Sequence, residues 1–149
     1  FAFISNKQMN MKEYRVEGCH NAYDPNGQVQ DNFAVEKKNF GALVESFATG
    51  CAVNNRASVK KENGEYVRLG EPTEAALIVL AEKMYPEQKG QYCQERGNQV
   101  KSFVTLDFTS DRKAMSTVVS SYKNNKDLLI KGAPDRIIQK CDRYLSQEN

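Results

Sequence analysis

The residues best suited to bind a ligand form the tetrapeptide Lys131-Gly132-Ala133-Pro134. A short apolar run, residues 128–130, precedes it, so a long cationic side chain stands at the end of a predicted strand. Gly132 lacks a Cβ, which allows a ligand to approach the backbone closely, and Pro134 suits the first position of a helix. Such a corner favours a flat, negatively charged small molecule.

Two other side chains could join this corner in a pocket. Phe108 ends one predicted strand and Met115 begins the next. If both strands pair with the one that ends at Lys131, alternation could place the three side chains and Gly132 on one face. An aromatic ring and a thioether stack well on a purine, and an ammonium can serve both the base and the phosphates. Taken singly, Phe108 and Met115 are more often core residues, and Lys131 is a strand-end lysine.

The sequence contains no constellation for covalent catalysis. A nucleophile elbow GxSxG, a zinc motif HExxH and a phosphate loop GxxxxGKS are all missing from its 149 residues, and His20 is the single histidine. The four cysteines are widely spaced and form no CxxC pair: Cys19, Cys51, Cys93 and Cys141. We therefore predict no catalytic residue and no metal ligand, and the residues by themselves indicate a binding protein.

Composition narrows the class of protein. Lysine and arginine number 21 against 19 aspartate and glutamate residues, and they are scattered, which gives no support to nucleic acid as the main partner. The length and the 40% hydrophobic content predict one globular domain over residues 1–149. The cysteine spacing favours a reduced cytosolic compartment. No apolar run approaches the roughly 18 to 20 residues that cross a bilayer.

Two segments of the chain show the apolar spacing of a helix. Between Val35 and Val53 the apolar residues follow one helical face: Phe40, Leu43, Val44, Phe47, Ala48 and Cys51. The segment from Gly70 to Leu77 opens a second helix, whose predicted inward stripe is Ala76, Leu77, Leu80, Ala81 and Met84. Glu71 and Glu74 lie in its first turn, where the helix dipole favours carboxylates even without a ligand. Residues 87–99 are polar without a convincing period and predict a loop or a short irregular helix.

The predicted strands are short and joined by polar turns. A hairpin tip at 60–64 precedes a strand at 66–69, and alternation over 102–108 predicts another strand. Residues 115–122 are rich in β-branched side chains, 123–126 form a turn, and 128–130 form a short strand. A last helix begins at about Pro134 and carries Ile137, Ile138, Cys141 and Leu145. The predicted fold class is α+β, with an antiparallel sheet flanked by helices.

Three ordered motifs resemble the nucleotide-binding domain of P-type cation-transporting ATPases. They are the helix start from Gly70 to Leu77, the segment from Phe108 to Ser116, and Lys131-Gly132-Ala133-Pro134. The similarity is greatest to calcium pumps of the endoplasmic reticulum type, and it extends to the helix residues 47–54 and to 6–9 near the start. Together these matches cover most of the chain, and the resemblance implies the α+β fold of such domains.

The resemblance implies roles for individual positions. In these pumps the residue matching Phe108 stacks on adenine, the one matching Glu74 accepts hydrogen bonds from the base, and the one matching Met115 lines the pocket wall. The floor of the pocket is formed by the residues matching Lys131, Gly132 and Ala133. The resemblance thus implies ATP as the ligand, with Mg²⁺ held mainly outside these residues.

Two departures from the family pattern bear on the prediction. Calcium pumps often have arginine at the position of Ser110, whereas sodium/potassium pumps have serine there, as this chain does. A phosphate contact is therefore weaker, or it comes from Arg112 instead. The phosphorylated aspartate of the family loop Asp-Lys-Thr-Gly-Thr does not occur in these 149 residues. We therefore expect the chain to be a piece of a longer membrane pump.

The resulting expectation is a cytosolic ATP-binding domain that delivers ATP to the phosphorylatable aspartate of a neighbouring domain. Its partners would be the phosphorylation and actuator domains of the same polypeptide, and it would meet a membrane only through the parent protein. That membrane would be the endoplasmic reticulum or a related endomembrane. The isolated fragment should bind ATP without hydrolysing it. The alternatives are the same domain of a sodium/potassium or plasma-membrane pump, and a non-enzymatic interaction module.

Overall fold

A computed structural model describes residues 2–4, 11–17, 21–30, 32–120 and 125–143. In chain order, the elements within these ranges are β1 (Ala2–Ile4), β2 (Met11–Glu13), α1 (Phe33–Asn39), α2 (Gly41–Val53), β3 (Ser58–Glu62), β4 (Glu65–Leu69), α3 (Pro72–Met84), α4 (Tyr92–Gln99), β5 (Ser102–Thr109), β6 (Ala114–Ser120), β7 (Lys126–Gly132) and α5 (Pro134–Ile138). A single 3₁₀ turn, Pro86–Gln88, links α3 to α4.

All strand pairs are antiparallel. Strands β1 and β2 form one pair, β3 and β4 form a hairpin, and β5, β6 and β7 form a three-stranded sheet with β6 in the centre. The β3–β4 hairpin turns at Asn63 and Gly64, both with positive φ, within the tip predicted at 60–64. Residues 60–62 of that predicted tip belong instead to β3, where they pair with β4. Helices and antiparallel sheets together confirm the predicted α+β class.

The hydrophobic core lies mainly among α2, α3 and α4. Its buried members from these helices and their connections include Val44, Ala48, Cys51, Ala81, Met84, Tyr85 and Tyr92. The rings of Tyr85 and Tyr92 stack with centroids 4.2 Å apart. The predicted stripe of α3 was partly wrong, because Ala76 is exposed whereas Ala75 and Val79 are buried. The helix is covered by neighbours on a broader arc than a single stripe.

The polar segment after α3 contains a regular helix that the sequence pattern did not predict. Glu82 is only 4% exposed, and its carboxylate accepts hydrogen bonds from the backbone N–H groups of Tyr92 and Cys93 at 3.0 and 2.9 Å. These are free donors at the start of α4, which a carboxylate stabilises. The cap therefore comes from ten residues earlier in the chain, where no local pattern would reveal it.

Other boundaries differ from the sequence prediction in smaller ways. The single helix predicted over 35–53 is two helices, because Phe40, with φ −118° and ψ 32°, interrupts it. Strand β7 begins at Lys126, which the sequence predicted as turn. Helix α5 ends at Ile138, and Cys141 is exposed rather than packed. The predicted positions Leu145 and 121–124 lie outside the described residues.

The central and outer strands of the three-stranded sheet differ in how deeply their side chains are buried. The first four residues of β6, 114–117, are all buried, whereas β5 and β7 are mostly exposed. The buried central strand thus holds the two outer strands, whose side chains are mostly exposed, in place.

None of the helices in the described ranges has the length and apolar character needed to cross a membrane.

Candidate functional site

A cavity of about 460 Å³ lies where the start of α3 meets the end of the three-stranded sheet. Its lining residues come from α3 and its N-terminal flank and from all three strands: Glu71, Thr73, Glu74, Leu77, Phe108, Met115, Lys131 and Gly132. The structure therefore brings together five of the eight predicted site residues. Tertiary contact joins them, since Glu74 and Lys131 are 57 positions apart in the sequence numbering.

The sheet register explains how two of these residues converge. Met115 in β6 is paired directly with Lys131 in β7, and paired residues of antiparallel strands project from the same face. Met115 is 1% exposed, so the strand core holds it rigidly, whereas Phe108 on β5 is 59% exposed. The cavity thus has a fixed apolar wall on one side and an open aromatic ring on the other.

The charged part of the cavity is an ion pair between Lys131 and Glu74. Lys131 Nζ lies 2.8 Å from Glu74 Oε1, and the two side chains are 24% and 15% exposed. The second oxygen, Oε2, accepts a hydrogen bond from the backbone N–H of Arg56 at 3.1 Å. Partial burial strengthens such a pair relative to one in water, so the carboxylate is held from two directions while it faces the cavity.

Gly132 is required by its own strand pair. A Cβ at this position would lie 2.3 Å from the carbonyl oxygen of Lys113 and 2.8 Å from Cα of Ala114. Atoms cannot approach so closely, so any side chain would push β7 away from β6. The sequence suggested that glycine admits a ligand to the backbone; the close approach of β6 is an additional reason for glycine here.

The three remaining predicted residues do not line the cavity. Ser110 lies in the exposed turn between β5 and β6. Arg112, in the same turn, donates from its guanidinium to the carbonyl oxygen of Asp107 at 3.3 Å and to Ser116 Oγ at 2.9 Å. Ala133 precedes α5, and its N–H donates to Lys113 O at 2.9 Å. Arg112 and Ala133 instead fix the β5–β6 turn beside the cavity.

Three lining residues were missed by sequence reasoning: Glu71, Thr73 and Leu77. All belong to α3 or its N-terminal flank, and Leu77 lies three positions after Glu74, which is the spacing of neighbours on one helical face. That spacing could have revealed Leu77 once Glu74 was chosen. The sequence also gave no signal for Arg56, whose guanidinium lies 2.8 Å from the carboxylate of Asp107, next to Phe108.

A second, smaller cavity of about 310 Å³ adjoins the first between α2, α3 and β7. Leu77 and Lys131 line both cavities, and Cys51 lies in the smaller one. Burial raises the pKa of the Cys51 thiol to about 12, although the nearby Lys131 opposes the shift. The thiol is therefore neutral at physiological pH, as expected for a core residue and not for a nucleophile.

The described ranges hold no group of three histidine, cysteine, aspartate or glutamate side chains arranged to bind a metal ion. The polar side chains that line the cavity are the carboxylates of Glu71 and Glu74, the hydroxyl of Thr73 and the ammonium of Lys131. This donor set suits an organic ligand with both a hydrogen-bond donor and negative charge.

Comparison with known proteins gives a family match and, among other relatives, one curated calcium-transporting ATPase. The sequence model of the family described as "P-type ATPase, cytoplasmic domain N" matches residues 43–149. The chain is also 32% identical over 142 residues to "Calcium-transporting ATPase 4, endoplasmic reticulum-type" from Arabidopsis thaliana. That alignment covers 87% of this chain and 13% of the relative, so the chain spans a small part of the length of that protein.

Proposed function

Because the chain belongs to the P-type ATPase family, as a cytoplasmic N domain, we propose that its cavity binds the adenine end of ATP. The observation that carries this proposal is the convergence of Glu74, Lys131, Phe108 and Met115 on one cavity of about 460 Å³. The volume falls within the range of small-molecule sites. The lining combines an aromatic ring, an apolar wall and a charged pair, which are the groups that a nucleotide requires.

The adenine base fits the chemistry of each wall. The Glu74 carboxylate only accepts hydrogen bonds, and the exocyclic amino group of adenine donates them. The exposed ring of Phe108 is free to stack on the base from one side, while Met115 and Leu77 offer apolar contact from the others. Lys131 and Gly132 would form the floor beneath the base. Ala133, which lies outside the lining, would support this floor through the hydrogen bond from its N–H to Lys113 O.

The phosphates would extend from the cavity towards positive charge at its edge. Lys131 Nζ has three donors and forms an ion pair with Glu74, but it has no hydrogen-bond partner among the described residues, so its donors remain for a ligand. Arg112 uses its guanidinium on Asp107 O and Ser116 Oγ, yet the side chain is exposed and carries five N–H donors. Arg112 and Ser110, which lie in the same turn, would contact the phosphates. Mg²⁺ would be bound by the phosphates and by residues of another domain.

In the parent protein this domain would deliver ATP to a phosphorylatable aspartate on a neighbouring phosphorylation domain, with an actuator domain as a further partner. The chemistry served would be phosphoryl transfer to a carboxylate, followed by hydrolysis. The similarity to a calcium-transporting relative favours Ca²⁺ as the transported ion and the cytosolic face of the endoplasmic reticulum or a related membrane as the location. Because sodium/potassium pumps also have serine at the position of Ser110, a pump of that type is the alternative parent protein.

Titration of the 149-residue chain with ATP, followed by backbone amide shifts, tests the proposal. We expect shifts at Glu74, Phe108 and Lys131 and a Kd of about 0.1 to 1 mM. ATP should not be turned over. An interaction module without a nucleotide site would show no shifts at these positions, and measurable ATPase activity of the chain would falsify the proposed division of labour.

Replacement of the cavity lysine gives the sharper form of the test. Lys131→Ala removes the ammonium and should raise the Kd for ATP at least tenfold, because hydrogen bonds to charged groups contribute about 1.5 to 3 kcal/mol. Lys126→Ala is the matched control: it lies on the same strand, and its amine is 4.8 Å from the centroid of the Phe103 ring, outside the cavity. Equal affinities for the two variants would contradict the assignment of the site.

A further inference from the structure

We infer that Asn55 is a positioning residue that determines purine selectivity, by fixing the orientation of the Glu74 carboxylate. The inference rests on the proposed function, since it assumes that the cavity accepts a nucleotide base. It concerns a residue that touches neither the cavity nor the ligand. The structural basis is a short segment after α2, residues 54–56, which we call the clamp.

Asn55 has all its polar side-chain atoms engaged. Its amide Nδ2 donates to the carbonyl oxygen of Cys51 at 3.0 Å and to the carbonyl oxygen of Glu74 at 2.9 Å. Its Oδ1 accepts from the N–H of Ala57 at 2.8 Å. One side chain thus fixes the end of α2, the turn that follows it and the backbone of the first turn of α3, all in one geometry.

The geometry of Asn55 determines where the backbone N–H of the next residue, Arg56, is directed. The turn that Asn55 holds directs the N–H of Arg56 at Glu74 Oε2, 3.1 Å away. The backbone of Glu74 is tied to Asn55, its Oε2 to Arg56 and its Oε1 to Lys131. Glu74 is therefore held at three points, one on its backbone and two on its carboxylate. The clamp supplies the backbone contact and the contact to Oε2, and so restricts the direction of the remaining lone pairs.

The clamp is itself anchored on the sheet through Asn54. This side chain is 2% exposed; it accepts a hydrogen bond from Thr117 Oγ1 at 2.9 Å and donates to Leu129 O at 3.3 Å. Thr117 lies two residues after Met115, and Leu129 lies two residues before Lys131. The clamp thus connects Glu74 to the two strands that carry the opposite wall, so the carboxylate keeps its place relative to Met115 and Lys131.

A fixed acceptor discriminates between purines that differ at carbon 6. Adenine presents an amino group there, which donates to the carboxylate, whereas hypoxanthine presents a carbonyl oxygen, which the carboxylate repels. A carboxylate free to rotate away would lose the contact with adenine and would also relieve the repulsion of hypoxanthine. Loss of the clamp should therefore reduce the ratio of the two affinities, and not merely weaken both.

The experiment compares the dissociation constants of ATP and inosine triphosphate for the 149-residue chain. We expect the wild-type chain to prefer ATP by about tenfold, the effect of one hydrogen bond to a charged group. In Asn55→Ala and Asn55→Ser the preference should fall to about twofold or less. Ser retains a hydroxyl that accepts from the N–H of residue 57 and preserves the turn, but it is too short to hold Glu74.

Asn98→Ala, on the exposed side of α4, serves as the matched control and should keep the wild-type ratio. The amide spectrum reports whether each variant folds; if Asn55→Ala does not fold, Asn55→Ser decides the question. A folded Asn55→Ser variant with the wild-type ratio overturns the inference. If the wild-type chain binds neither nucleotide, the proposed function itself fails, which is a different result from equal selectivity in wild type and variant.

Discussion

The helical layer (α2, α3 and α4) and the three-stranded sheet differ in how deeply their side chains are buried. Helices α2, α3 and α4 share a core in which even charged groups are buried, such as Glu82 and Lys83, each 4% exposed. In the sheet, only β6 is covered along most of its length, while the apolar residues of β5 and β7 are largely exposed. Most of the folding free energy should therefore come from the helical layer, because buried apolar area determines it.

The two layers contribute different kinds of residue to the cavity. Glu74, on α3, is held by Arg56, Asn55 and Lys131, so its position is fixed before a ligand arrives. Phe108, on the edge strand β5, is exposed and has room to adapt. A held polar group supplies selectivity at little cost on binding, and an adaptable ring supplies contact area. Stability and binding should therefore respond to separate substitutions in this domain.

The largest expected effect is the loss of stability from the helical layer. Tyr92→Ala removes a ring that is 1% exposed and stacked on Tyr85, and it should reduce the free energy of unfolding by about 3 to 5 kcal/mol, as other buried aromatic deletions do. Urea denaturation measures this change. Phe103→Ala, on β5 and 43% exposed, should cost less than half as much. Equal losses would contradict the contrast between the two layers.

The next effect concerns binding from the sheet. Phe108→Ala removes the exposed ring and should raise the Kd for ATP about tenfold, since base–aromatic stacking contributes about 1 to 3 kcal/mol. The urea midpoint should hardly move, because the ring is largely exposed in the free protein. Phe103→Ala on the same strand is the control for binding, as it lies outside the cavity. A large loss of stability in Phe108→Ala would show that the ring is structural.

The smallest effect is a pH dependence from the helical layer. Burial raises the pKa of Cys51 from 9.0 to about 12, so the unfolded thiol ionises at lower pH than the folded one. Stability is therefore complete below pH 9 and is lost as pH rises from 9 towards 12. Between pH 8 and pH 10 we expect a loss of about 1 kcal/mol from this group. Cys93 shifts in the same direction, so wild type and Cys51→Ala must be compared.

A flatter pH dependence in Cys51→Ala than in the wild-type chain, measured from urea midpoints at the two pH values, would confirm the contribution of the buried thiol. Identical slopes would mean that Cys51 is accessible to water in the folded chain. Such access would in turn open the smaller cavity beside Lys131 and weaken the view of the helical layer as a closed core.

Much of this architecture could be predicted because the relevant signals are local. Period-2 alternation predicted β5, β-branched residues predicted β6, and turn residues predicted the hairpin that ends in β4. Helical spacing predicted α2 and α3. The ordered motifs that contain Glu74, Phe108 and Lys131 indicated the family, which the comparisons confirm. Where α4 lies, the sequence predicted only a loop or a short irregular helix, since this segment is polar and its cap is the side chain of Glu82 from the preceding helix.

The chemical groups of the site could be read from local patterns: an acceptor in a helix start, an ammonium at a strand end, and a ring and a thioether on neighbouring strands. How these groups are held depends on tertiary contacts. The register of β6 on β7 pairs Met115 with Lys131, and the close approach of β6 requires glycine at 132. The three contacts on Glu74 join segments far apart in the chain, and such contacts depend on packing that no local pattern encodes.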